Sequence, residues 1–186
     1  MNTSRTAALD LLKKYVRNEK MLIHSLESEA VLRALARELG RDEDEWGLAG
    51  LLHDIDVEVT HADPKTHALM AAELLQPLDC SEAMLDAIRM HNEEATGMPR
   101  TTEFQHALAA GETITGMIHA TTLVYPEKKI AAIKYNSVIK RMKQPAFAAS
   151  VKRENIMECE AIGLPLERFV QLAVDAMRDI SEEIGL

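Results

Sequence analysis

Apolar residues recur three and four positions apart from one end of this chain to the other, and sustained strand-like alternation is missing. The spacing predicts a first helix over Thr6 to Val16. Asn18 caps a second, whose apolar positions Leu22, Ile23, Leu26, Ala30, Val31, Ala34, Leu35 and Leu39 lead up to Gly40. Asp42 with Glu45 reads as a capping box opening a helix that runs through Trp46, Leu48, Ala49, Leu51 and Leu52 to His53. Asp63-Pro64, a cap followed by proline at the first helical position, predicts a helix to about Leu75, and Ser81 caps another to about His91. Asn92 to Arg100, punctuated by Gly97 and Pro99, reads as a loop. Thr102 and Gln105 form a second capping-box pattern, for a long helix to about Val124. Pro126 starts a further helix, a short one spans Asn136 to Met142, and Pro145 interrupts the pattern. Helices over Arg153 to Ile162 and Pro165 to Ile184 complete the chain. Ile55 to Thr60 alternates like a strand without a partner and reads as an extended loop. The expectation is an all-α fold: one helical bundle over residues 1–186, with a core at about 18–124 and a C-terminal extension at about 125–186.

Composition agrees with a packed domain. The 186 residues are 47% hydrophobic and 27% charged, which is ordinary for a globular chain and wrong for a disordered one. Cys80 and Cys159 form no CxxC motif and read as two inert thiols of a reducing compartment. No apolar run approaches the roughly 18 residues of a membrane span, and the N-terminus carries no signal-peptide pattern, so a cytoplasmic protein without membrane association is expected. A net charge of −9 argues against extended nucleic acid as a partner. Against that trend, Lys128, Lys129, Lys134, Lys140, Arg141 and Lys143 follow one another with no acid between them. Such a run is either a solvated face or a local anion site.

Several polar residues fall on apolar helix faces. His24 lies in line with Val31 and Leu35, and His67 precedes Met70, Ala71 and Leu74. His91 follows Ile88 by three, and Glu112 sits in a helix otherwise made of Ala, Leu, Ile, Thr and Gly. A single inward histidine is ordinarily a hydrogen-bonded core residue. Three histidines and a glutamate on separate helices, joined by His53-Asp54, would each need separate satisfaction, whereas one metal site satisfies them all. His61 follows the His-Asp pair and could line the mouth of such a site, His106 reads as exposed, and His119 reads as packing or as support for a ligand.

These residues, in the order His24, Gly50-Leu51-Leu52-His53-Asp54-Ile55-Asp56, His67, His91 and Glu112, resemble the H…HD…H…H…D signature of the HD-domain superfamily of metal-dependent phosphohydrolases. The narrower resemblance is to its stand-alone HDIG-type members, and it covers most of the chain. One departure stands out: the family's last ligand is usually aspartate, and this chain has Glu112, with the carboxylate one methylene further out.

The resemblance implies an HD-domain helical bundle with one or two divalent transition-metal ions (Mn, Fe, Co, Ni or Zn). His24, His53, Asp54 and Glu112 would hold the first ion; Asp54, His67 and His91 would hold the second, and the presence of both middle histidines favours two. It implies hydrolysis of a phosphate ester, such as a small phosphorylated molecule or nucleotide, by a metal-activated water at Asp54. Asp56 and His61 are candidates for proton transfer, and Lys134, Lys140 and Lys143 are candidates for binding substrate phosphate. Two alternatives share the ligand set: a non-catalytic, regulatory metal-binding protein, and a di-iron oxygenase of the HD type. Apolar residues on the terminal helices could support a homodimer.

Overall fold

Residues 3–186 are described by a computed structural model, which is helical throughout, with no strand among the described residues. Helix α1 (Arg5–Tyr15) starts where the Ser4 hydroxyl accepts the Ala7 N–H. Helix α2 (Glu19–Leu39) starts on the Asn18 side chain and stops at Gly40, whose φ of +66° is the left-handed turn that glycine adopts without a Cβ penalty. Buried Glu29 ties the two helices together: Arg5 Nε donates to both its oxygens, at 2.8 and 2.9 Å, and Arg33 donates from the other side at 3.0 Å.

Helix α3 (Glu43–Leu52) is capped by Asp42, which accepts the N–H groups of Asp44 and Glu45. The expected reciprocal half of that capping box is not made. Glu45 instead accepts the hydroxyl proton of Ser81, the residue that caps α5 (Glu82–Met90), so one carboxylate links two helix starts. Against α2, α3 packs as closely as backbone allows. A Cβ on Gly50 would stand 2.6 Å from the Ser28 carbonyl oxygen, so only glycine permits this crossing.

Helix α7 (Glu103–Leu123) carries the full capping box expected of Thr102 and Gln105. It runs through the centre of the molecule, with the Phe104 ring stacked on Trp46 of α3 at 4.9 Å. Helices α8 (Tyr135–Met142), α9 (Arg153–Met157), α10 (Leu166–Asp179) and α11 (Ser181–Ile184) wrap the outside. One hydrophobic core joins all of these, from Ala8 to Leu186, with Leu32, Leu35, Leu51, Leu52, Phe169 and Met177 fully buried. Each such side chain contributes about 1.5–3 kcal/mol. No helix among the described residues is long and apolar enough to cross a membrane.

The helix expected over Pro165 to Ile184 breaks at Ile180 into α10 and α11, the one over Arg153 to Ile162 passes into a 3-10 turn after Met157, and four other segments depart further from the sequence expectation. Residues 55–60 form compact turns rather than an extended loop. The helix expected from Asp63 to Leu75 shrinks to α4 (Ala71–Leu74), because Ala68 takes a φ of +75° where the Asp56 carboxylate captures the N–H groups of Ala68 and Met70. The loop after His91 contains a short helix, α6 (Glu93–Thr96), capped by Asn92. Pro126 starts no helix. Lys128 is left-handed at φ +49°, and the chain turns inward to bury Ile130 and Ile133 around a 3-10 turn.

Candidate metal centre

Five elements deliver side chains to one point. His24 comes from the first half of α2, and His53 and Asp54 from the end of α3. His67 comes from the turns after it, His91 from the end of α5, and Glu112 from mid-α7. Asp54 lies at the centre. Its Oδ2 is 3.7 Å from His24 Nε2 and 3.4 Å from His53 Nε2, while its Oδ1 is 2.9 Å from His67 Nε2 and 3.5 Å from His91 Nε2. Glu112 Oε2 approaches His24 Nε2 at 3.9 Å. The carboxylate thus faces one nest of donors with each oxygen.

Behind every imidazole stands an acceptor on the other ring nitrogen. His53 Nδ1–H donates to the Gly50 carbonyl at 2.8 Å, His91 Nδ1–H to the Ile88 carbonyl at 2.5 Å, and His67 Nδ1–H to Asp56 at 2.8 Å. The Thr115 hydroxyl donates to the Glu112 carbonyl, so it accepts from His24 Nδ1–H at 3.0 Å. Each ring thus engages an acceptor through Nδ1–H, which turns all four Nε2 atoms inward. Two pairs of them meet at 3.2 Å (His24 with His53) and 3.1 Å (His67 with His91). With any Nε2 proton displaced, nitrogens and carboxylates at such separations are the donor set of a divalent transition metal. Donor atoms of His24, His53 and Glu112, and of His53, Asp54 and His91, lie within 4.8 Å of one another in each group.

Protonation preferences follow the same geometry. Burial pushes His53 down to about 3, keeping the ring neutral and its lone pair available. Burial also opposes charge on His67, but its hydrogen bonds to Asp54 and Asp56 outweigh that and push it up to about 10. Asp54 is held well below the usual carboxylate range: its burial is overcome by the histidines around it. Burial pushes Glu112 upward, and the Thr113 hydroxyl donates to its carboxylate.

A cavity of about 430 Å³ opens onto this cluster. His24, Asp54, His67, His91 and Glu112 line one side, and Ser150, Val151, Lys152 and Asn155 line another. Several expected roles do not match this arrangement. Asp56 is fully buried behind His67, holding that ring and two backbone N–H groups, and does not reach the cavity. His61 is exposed on the following turns, at φ +54°, and does not line the cavity. Lys134, Lys140 and Lys143 are exposed on and beside α8 and do not line it either. Lys134 borders a separate groove with Glu167 and Arg178. The basic stretch is a solvated face here, with Arg141 stacked over Tyr125 and Phe147. His106, expected to be exposed, is half-buried and donates to Glu158 at 2.9 Å.

Sequence reading missed the far wall of the cavity, since Ser150 to Asn155 fell in what looked like an extension and carries no histidine or cysteine. It also missed Arg100, which is buried beneath His91. Arg100 donates to the Met90 and His91 carbonyls at 2.9 and 3.1 Å, to Asn155 Oδ1 at 3.0 Å, and to both oxygens of Glu158. Asn92, next to the His91 ligand candidate, donates to the Pro64 and His67 carbonyls and so ties two histidine-bearing segments together.

His119 serves none of this directly. Its Nδ1–H donates to buried Glu27 at 2.7 Å, and that hydrogen bond raises its pKa above 6.5. A raised folded-state pKa stabilises fully below about pH 6.5 and loses its effect as pH climbs through the raised value. Allowing for a side chain 31% exposed, the charged pair contributes about 1 kcal/mol. His119→Ala should therefore lower Tm by about 2–4 °C more at pH 6 than at pH 9, as read by thermal melts at the two pH values. Equal losses at both would mean that the pair adds nothing beyond packing.

A helical bundle that turns four imidazole nitrogens toward one buried carboxylate carries the donor set of a metal-binding protein. The chain belongs to the HD domain family, which it matches over residues 21–141. It is similar to proteins named Ribonuclease Y. With that of Lawsonia intracellularis it is 39% identical over 83 residues, covering 45% of this chain and 16% of that protein. With that of Chloroflexus aurantiacus it is 32% identical over 139 residues, covering 73% and 27%. With that of Lactobacillus helveticus it is 26% identical over 169 residues, covering 89% and 31%. The chain thus spans less than a third of the length of these relatives. No solved structure matches it.

Proposed function

We propose that the chain is a metal-dependent phosphohydrolase that cleaves a phosphate ester or phosphodiester of a small molecule or nucleotide. The observation that carries this reading is the set of four imidazoles, each held from behind at Nδ1, whose Nε2 atoms converge on the two oxygens of Asp54. His24, His53, Asp54 Oδ2 and Glu112 would hold one divalent ion; Asp54 Oδ1, His67 and His91 would hold another. Bound there, such ions supply a nucleophilic hydroxide near neutral pH and neutralise charge on the phosphoryl oxygens.

The chain's own residues prepare the site. Burial keeps His53 neutral, Gly50 and Ile88 carbonyls orient His53 and His91, and Asp56 fixes His67. The name of the relatives, Ribonuclease Y, is what supports a phosphodiester as one candidate substrate. A net charge of −9 and a cavity of about 430 Å³ favour a small ester or nucleotide over a long polyanion.

Metal content by mass spectrometry, on protein purified without chelator, tests the reading together with phosphate release from nucleotides and from p-nitrophenyl mono- and diesters. One to two transition-metal ions per chain and metal-dependent release are expected. Failure to take up any of Mn, Fe, Co, Ni or Zn would overturn it, and iron with oxygen uptake but no phosphate release would replace hydrolysis with oxygenase chemistry.

Asp56→Asn isolates the support behind His67. It keeps the shape but removes the charge that accepts from His67 Nδ1 and from two backbone N–H groups. Metal affinity should fall about 10- to 100-fold with helical content unchanged, measured by competition against a chromophoric chelator. Unchanged affinity would show that His67 needs no such anchor.

A further inference from the structure

Another part of the cavity wall, Ser150, Val151 and Lys152, ends a stretch of turns over residues 144–152 that holds no histidine or acid. Arg153 organises it from one end. Its guanidinium donates to the Ala148 and Val151 carbonyls at 2.6 Å each, to Gln144 at 3.3 Å, and to Phe147. Ala148, at φ +45°, bends the chain so that these carbonyls converge. The loop is therefore shaped by its own backbone contacts, and it presents Ser150, Val151 and Lys152 to the cavity.

Among the residues lining that cavity, Lys152 is the only lysine or arginine. Its Nζ pairs with Glu94 of α6 at 2.7 Å, and both side chains are about half exposed, at 52% and 55%. An ion pair so exposed is weak and readily exchanged. Asn92, which caps α6 and lines the same cavity, keeps Glu94 beside the site. Substrate held by ions at the Asp54 cluster would bring phosphate oxygens into the cavity that Lys152 lines, within reach of its long, exposed side chain.

We propose that Lys152 anchors a phosphate oxygen of the substrate, and that Glu94 holds the Lys152 ammonium at the cavity rim until the phosphate displaces it. The proposal rests on the phosphohydrolase reading of the cavity and adds its recognition element. A phosphate dianion offers more charge and more acceptor oxygens than one carboxylate, so the exchange favours the ligand inside the cavity while leaving the ammonium paired in its absence. The anion site thus comes from a loop outside the basic stretch at 128–143.

The test is calorimetric titration of inorganic phosphate into Mn-loaded protein, comparing wild type with Lys152→Ala, Lys152→Arg and Glu94→Gln. Lys152→Ala should weaken phosphate binding about tenfold or more, Lys152→Arg should retain most of it, and Glu94→Gln should tighten it; metal content should stay the same in all four. Both positions are exposed, so circular dichroism should show intact folds. Wild-type binding matched by Lys152→Ala would overturn the proposal while leaving the phosphohydrolase reading in place. Glu94→Gln weakening binding as much as Lys152→Ala would also overturn it, because the pair would then be a structural brace. Absence of phosphate binding by metal-loaded wild type would overturn both the anchor and the reading on which it rests.

Discussion

Asp54→Ala should empty the site of metal and reduce hydrolysis by at least three orders of magnitude, about 4 kcal/mol of transition-state stabilisation. Asp54 faces all four histidines, with Oδ2 toward His24 and His53 and Oδ1 toward His67 and His91. Its loss would leave clustered imidazoles with no central negative charge to balance a divalent cation. The same change removes the partner that, with Asp56, pushes His67 up to about 10. The metal-free protein should therefore remain folded, since the core around Leu51, Leu52 and Ile55 is untouched. Metal analysis, a phosphoesterase assay and circular dichroism on one preparation separate these effects. Full metal content in Asp54→Ala would sink the bridging role, and Asp54→Asn, which preserves volume, checks that charge rather than shape is responsible.

Arg100→Met should destabilise the fold by about 3–5 kcal/mol, the range for breaking a buried ion pair and leaving its partner uncompensated. The Arg100 side chain is 1% exposed, and its donors hold two carbonyls at the end of α5, the Asn155 amide and the Glu158 carboxylate. Methionine fills similar volume but satisfies none of them. The carbonyl of His91 is among those released, so metal affinity should drop along with stability. Urea denaturation gives the free energy directly. A companion variant sharpens the result: Arg100→Met combined with Glu158→Leu removes the stranded carboxylate and should recover part of the loss. If the double variant is as unstable as the sum of the singles, the carbonyl contacts rather than the ion pair carry the stability.

What the sequence determined by itself was local. The helix starts at Asn18, Asp42, Ser81 and Thr102 follow from caps whose side chains act within three residues, and the stop at Gly40 follows from backbone freedom at that position. The inward histidines were legible because a polar residue on an apolar stripe is visible from spacing alone, and the structure draws His24, His53, Asp54, His67, His91 and Glu112 to one point. Tertiary structure decided what depends on partners far along the chain. Asp56 looked like a free carboxylate two residues from the site. Buried, it becomes the acceptor that bends residues 68–70 out of the expected helix, forcing Ala68 left-handed. The lysines at 134, 140 and 143 looked like an anion site because they are clustered in sequence, yet α8 carries them along the outside, while Lys152 reaches the cavity through a loop that Arg153 folds by gathering carbonyls. Arg100 gave no periodic signal, since a guanidinium in a proline-bearing loop is ordinarily solvated. Only the meeting of the end of α5 with α9 and the turn that follows it supplies enough acceptors to bury it. Caps and stripes act over one or two turns, so spacing reveals them; a side chain's role at a cavity is set by which distant segments pack beside it, and no local pattern records that.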